Sequence, residues 1–200
     1  AKGGKAVDVD ASCIAFSQGQ PRGAVWFGQL HHGDPTKNDM VHSGDVLCGS
    51  KNPDPKLQDM ERVYVWLERL DPSIDCLVLV ANIYSQGVTF KDLSDAYVRL
   101  ANADTNQEMG RMQLGQGKMQ GNAIVFAKLF RYGGQWQLMG LGLPVQTDPQ
   151  GYSSFRALLP AIIKSGCAFP VPAKGHQGPI IAPCVVPDLV PFAAAQQPTA

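Results

Sequence analysis

Charge is scarce in this sequence. Only 17% of its 200 residues are charged, and 17 basic and 17 acidic side chains cancel to a formal net charge of +0. A chain without a basic excess has no electrostatic reason to bind nucleic acid or an anionic membrane surface. A thinly charged surface also favours burial against a protein partner or another copy of the chain. No apolar run is long enough to span a bilayer, and the first residues carry no secretory signal pattern. The five cysteines, at 13, 48, 76, 167 and 184, are odd in number and form no CxxC pair. That spacing excludes a disulfide framework or a zinc knuckle and points to free thiols in a reducing, cytoplasmic setting. Phosphate-binding P-loops, dinucleotide fingerprints, GxSxG elbows and HExxH zinc motifs are all missing. No nucleophile is paired with a base by motif, so the chain reads as a non-enzyme.

Helical periodicity is scarce as well. Short apolar stretches with period-2 alternation follow one another, separated by turn formers. VDVDASCIAF (7–16) reads as the first strand and AVWFGQL (24–30) as the second, with GQPRG between them as a turn. Residues 31–44 are rich in turn formers and read as a loop carrying His31, His32 and His42 as solvated histidines. RVYVWLER (62–69) alternates well. CLVLVANIY is apolar on both faces, as a buried strand should be. Phe90 to Leu93 suit one helical turn. AYVRLANA, EMGRMQL, AIVFAKLFRY and QWQLMGLG complete the series, with Asp104-Thr105-Asn106 and Tyr132-Gly133-Gly134 as hairpin turns. About eight closely spaced strands with almost no helix predict an all-β, antiparallel β-sandwich over residues 1–150. A short helix is expected at 152–164, within a 151–166 segment packed on the sandwich, and Pro160 should kink or end it. Residues 167–200 carry a proline-rich, apolar composition that predicts an extended arm docked on a partner or on the sandwich itself.

Three acidic motifs stand beside these strands: Asp8-Val9-Asp10, Gly44-Asp45-Val46-Leu47-Cys48-Gly49 and Asp59-Met60-Glu61. Alternate residues of a strand share a face, so Asp8 and Asp10 point the same way. Carboxylates at strand ends can meet at one rim of a sandwich, where hard cations such as Ca²⁺ find oxygen ligands. Asp34 and Asp54 are further carboxylates on the same loops.

From Asp8 to Gly142 the motifs occur in an order and at separations that resemble the TerD-like tellurium-resistance family. DVDASCIAF looks like that family's opening strand, VHSGDVLCG its Gly-Asp loop, and DMERVYVWLERLDPSIDCLVLVANIY its next acidic motif and strand. FKDLSDAYVRLANADTNQEMGRMQL and AIVFAKLFRYGGQWQLMGLG resemble its closing segments. The resemblance implies a β-sandwich that binds calcium through loops at one end, serves stress-response systems and has no catalytic mechanism. Carried over by position, the metal ligands would be Asp8, Asp10, Asp45, Asp59 and Glu61. Val46, Cys48 and Met60 stand where the family pattern has Asn, Thr and Asp, and SKNPDPKLQ replaces its glycine- and aspartate-rich loop. Each change removes oxygen ligands or adds positive charge, which predicts a weakened site. The expected function is therefore a calcium-binding sensor or scaffold. The alternative is an interaction subunit that keeps the fold, has lost metal affinity and docks through its C-terminal arm.

Overall fold

The computed structural model describes residues 7–46, 59–85, 87–93, 96–114, 121–145 and 155–170. Its centre is one antiparallel sheet of five strands: β1 (Val9–Ser17), β2 (Gln20–Val25), β5 (Cys76–Ile83), β8 (Ala123–Tyr132) and β9 (Gln135–Val145). Their order is β2-β1-β5-β8-β9. The middle strand β5 is buried at every residue, as its apolar run, interrupted only by Asn82, predicts. Its alternating side chains feed two cores. Leu77, Leu79, Ala81 and Ile83 face one cluster with Cys13, Val25, Met40, Phe90 and Phe126. Cys76, Val78 and Val80 face the other with Ile14, Phe16, Val125 and Phe130. A sheet with two apolar faces needs a cover on each.

The first face is covered by two small hairpin layers. One pairs β3 (Met40–His42) with β4 (Val63–Val65), and the other pairs β6 (Tyr97–Ala101) with β7 (Glu108–Gln113). Val63, Val65, Val98 and Leu100 pack from these hairpins onto the central sheet. The second face is covered by the helix α1 (Phe155–Lys164), which inserts Leu158 and Ile162, and by Cys167 and Ala168 just beyond it. The result is an antiparallel β-sandwich with α1 on its back.

Several local expectations meet the chain differently. The first hairpin turns at Gln18 and Gly19, both at positive φ, so Ser17 pairs with Gln20 and the strand runs from Gln20 to Val25. Twin positive-φ positions suit the twist of a two-residue hairpin. The strand expected at 24–30 instead stops, and Trp26 and Gln29 close a tight turn through reciprocal backbone bonds of 3.1 and 2.9 Å. The expected loop 31–44 contains β3, whose Met40 and His42 are buried. The expected strand 62–69 keeps only three paired residues. Pro160 lies inside α1 and does not end it; the helix continues to Lys164. Packing of Leu158 and Ile162 outweighs the one lost backbone bond. The turns at Gly133-Gly134, both with positive φ, and at Asn106 lie where their residue types put them. Phe90–Asp92 forms a 3-10 turn whose Thr89 and Asp92 cap one another.

Three thiols lie inside: Cys13, Cys76 and Cys167 are free and buried. Cys13 Sγ sits 3.7 Å from Met40 Sδ, and Cys76 Sγ donates to the Cys167 carbonyl at 3.4 Å. Cys48 and Cys184 lie outside the described residues, as do Asp54 and the arm beyond Pro170. No helix among the described residues is long and apolar enough to cross a membrane.

Candidate metal centre

Period-2 geometry starts the site. Asp8 precedes β1 and Asp10 lies within it, so both carboxylates leave the chain on one side. Hydrogen bonds from Ser85 and Tyr84 fix the backbone here: Asp8 N–H donates to Ser85 Oγ at 3.0 Å, and Tyr84 N–H donates to the Asp8 carbonyl at 3.1 Å. Asp10 pairs across the sheet with Asn82, whose Nδ2 donates to Asp10 Oδ2 at 3.4 Å. Gly44, at φ 101°, turns the chain after β3 and presents Asp45. Asp8, Asp10 and Asp45 then each offer a carboxylate oxygen, all within 4.8 Å of one another. The first two come from a rigid strand and the third from an exposed loop.

Glu61 stands next to this trio in a bracing position. Its Oε2 accepts the Ala11 N–H at 2.9 Å and its Oε1 accepts the Val46 N–H at 3.3 Å. One carboxylate thereby ties β1 to the loop that carries Asp45. His42 completes the brace. Its side chain is 0% exposed and its Nε2 lies 3.1 Å from the Ala11 carbonyl and 3.4 Å from Glu61 Oε2. Gly44 N–H donates to His42 Nδ1 at 3.1 Å, which assigns the proton to Nε2. The expectation of a solvated His42 is thus corrected. It alternates with buried Met40 on β3, and that two-residue spacing was the available sign. His32 is not free in solvent either, since its Nδ1 meets Asp39 Oδ2 at 2.9 Å.

Asp59 is held elsewhere. Arg99 of β6 grips it with two bonds, Nε to Oδ1 at 2.9 Å and Nη2 to Oδ2 at 2.6 Å, and Tyr97 Oη donates to Oδ1 at 3.3 Å. This forked pair couples the two hairpin layers, and it occupies the oxygens a cation would need. Asp34 is exposed and caps a turn, accepting the N–H and hydroxyl of Thr36, bonds that hold its carboxyl below the usual range.

Electrostatically the trio is unsettled. Asp10 is 2% exposed. Burial first, then the charges of Glu61, Asp8 and Asp45, push its carboxyl up to about 8. Asp8 is raised for the same reasons, burial before Asp45 and Glu61. Among the described residues no lysine or arginine forms an ion pair with Asp8, Asp10 or Asp45. Like-charged, partly buried oxygens without a neutralising partner are costly unless protonated or bound to a cation. An all-oxygen, carboxylate-only donor set suits a hard divalent ion such as Ca²⁺ or Mg²⁺ better than zinc or copper.

Comparison with known proteins gives a consistent picture. The TerD domain family matches residues 1–152. General stress protein 16U of Bacillus subtilis (strain 168) is 29% identical over 147 residues, covering 70% of this chain and 72% of that protein. The tellurium resistance protein TerD of Serratia marcescens is 26% identical over 154 residues, covering 75% and 74%. Among solved structures, a homologue of telluride resistance protein (TerD) from Streptomyces coelicolor A3(2) superposes with a TM-score of 0.57 at 20% identity, covering 72% of this chain and 82% of that one. The sandwich is shared with that structure.

Proposed function

Because this chain belongs to the TerD domain family, we propose that its acidic rim binds Ca²⁺ and that the protein acts as a non-enzymatic sensor or scaffold in a stress response. The reading rests on one observation: the buried Asp10 carboxylate is packed against Asp8 and Asp45, and among the described residues no lysine or arginine pairs with it. A divalent cation held by Asp8, Asp10 and Asp45 would supply the missing positive charge. Glu61 and His42 would act on that site by holding the Gly44–Val46 turn against β1. Binding would then lock in place an exposed loop that Glu61 already braces against β1, a gain in rigidity that a partner could read. The family names speak of resistance and stress, and the buried free thiols suit a reducing cytoplasm.

Titration calorimetry with CaCl₂ tests this directly. Heat of binding is expected for the intact chain and should be lost in Asp45→Asn. Asp59→Asn should bind within about twofold of the parent, because Asp59 serves Arg99. No heat at millimolar calcium, or equal loss in both variants, overturns the assignment.

The interaction-subunit alternative draws on a different fact. The family match ends at residue 152, and α1 and the proline-rich arm lie beyond it. Chain-specific contacts with a partner would come from there.

A further inference from the structure

The hairpin layer over the first face of the sheet is split. β4 pairs only with β3 and β6 only with β7 among the described residues, so the inner edges of β4 and β6 have no strand beside them. Between them lies a cleft of about 880 Å³. Its walls are the continuous runs 59–68 and 96–104, and its floor is the central sheet, through Leu79, Ala81, Phe126, Leu129, Trp136 and Leu138. Leu129, Trp136 and Leu138 are only partly buried there. Two strand edges that are unpaired among the described residues border an apolar floor, the kind of slot that takes up an extended chain by strand addition.

We propose that the slot is filled by this chain's own C-terminal arm, with residues 179–187 lying as an added strand. The pattern of the arm fits such a place. Prolines recur every four residues, at Pro179, Pro183, Pro187 and Pro191. In an extended strand, alternate residues direct their backbone groups to the same edge and their side chains to the same face. All the prolines therefore turn towards one edge. Ile180, Ala182, Cys184 and Val186 keep every N–H for the other, which is the longer edge, β6. The odd-numbered face reads Pro179, Ile181, Pro183, Val185, Pro187, an uninterrupted apolar surface for the floor. A proline-free strand could pair on both sides, so this pattern prescribes one-sided pairing.

The chain can reach. The described residues end at Pro170, beside Phe169, whose carbonyl accepts a 2.8 Å bond from Lys128 Nζ on β8. Leu129, the next residue of β8, belongs to the floor on the opposite face. The nine residues from 170 to 179 span up to about 30 Å, the length available for the arm to round the sheet to its other face.

The three tryptophans make the test. Trp66 and Trp136 line the cleft and Trp26 does not. In the full-length Cys48→Ser chain, a nitroxide on Cys184, which the register points away from the floor, should erase the indole N–H signals of Trp66 and Trp136 from a ¹⁵N spectrum. The Trp26 signal should persist. Val185→Asp, on the floor-facing side, should restore the two lost signals, whereas Val186→Asp should leave them lost. Uniform or absent broadening overturns the proposal, as does an equal response to both aspartates. Selective broadening seen only when nitroxide-labelled and ¹⁵N-labelled chains are mixed would place the arm on a second copy and overturn docking within one chain.

Discussion

Asp10→Asn will raise the thermal stability of the calcium-free protein at pH 8 and abolish its stabilisation by calcium. Both effects come from the same buried oxygen. In the folded chain the Asp10 carboxyl is raised from an ordinary 3.8 to about 8, mainly by burial and then by Glu61. A raised carboxyl means that the folded state binds the proton more tightly than the unfolded state. Stability is therefore greatest at low pH in this window and falls as pH rises from about 4 to about 8, where the folded group finally ionises. Asparagine carries no charge at either end of that window and keeps an oxygen for Asn82. The calcium-free variant should thus lose less Tm than the parent between pH 5 and pH 8, the remaining loss coming from Asp8, whose carboxyl is also raised. Calcium at a hundred times its Kd should stabilise the parent by about 2.7 kcal/mol, or roughly 5–10 °C at this size. The variant should gain nothing. Scanning calorimetry at pH 5 and pH 8, with EDTA or with calcium, reads all four states. A variant that melts below the parent at pH 8 and still responds to calcium would remove Asp10 from the site.

Ile162→Ala will cost about 2–5 kcal/mol, as expected for a fully buried aliphatic side chain cut back in a core that cannot close over the gap. This is a large share of the roughly 5–15 kcal/mol that keeps a domain folded. The residue lies in α1, beyond the segment matched by the family. Even so, Ile162 packs in the same cluster as Ile14, Phe16 and Val78, central-sheet residues that α1 covers together with Cys167 and Ala168. The helix is therefore expected to melt with the sandwich in a single transition. The neighbouring Ile163 is exposed and serves as control, since Ile163→Ala should change the urea midpoint little. Equal midpoints for both variants would mean that the helix adds nothing to the fold.

The sequence made local features legible and left distant ones hidden. β5 was readable because its eight residues are almost all apolar on both faces, and the β8–β9 turn because Gly133 and Gly134 supply the two positive φ values it needs. The Asp8 and Asp10 pair was readable for a similar reason, since strand alternation alone puts them together. β3 was not. Three residues carry too little periodicity, and their strand character exists only through Val63–Val65, more than twenty positions away. The place of Asp59 was equally hidden, because the residue that claims it, Arg99, is separated by 40 positions. The family resemblance places Glu61 among the ligands. In the fold its oxygens also accept two backbone N–H groups from different segments, a clasp that depends on which amides the fold delivers to it. Pro160 shows the opposite limit: a strong local signal was overridden by the apolar anchors on either side of it.

The three interior cysteines carry a consequence for chemical endurance. Cys13 and Cys167 sit at 0% and 2% exposure, and burial lifts the Cys76 thiol to about 12. Oxidants attack sulfur chiefly as the exposed thiolate, a form that burial disfavours at Cys13 and Cys76 while the sandwich is closed. Sulfur inside the domain thus behaves as ballast rather than fuse: a burst of peroxide or metalloid oxyanion would pass over it and leave the core's shape, and the acidic rim that the core supports, intact.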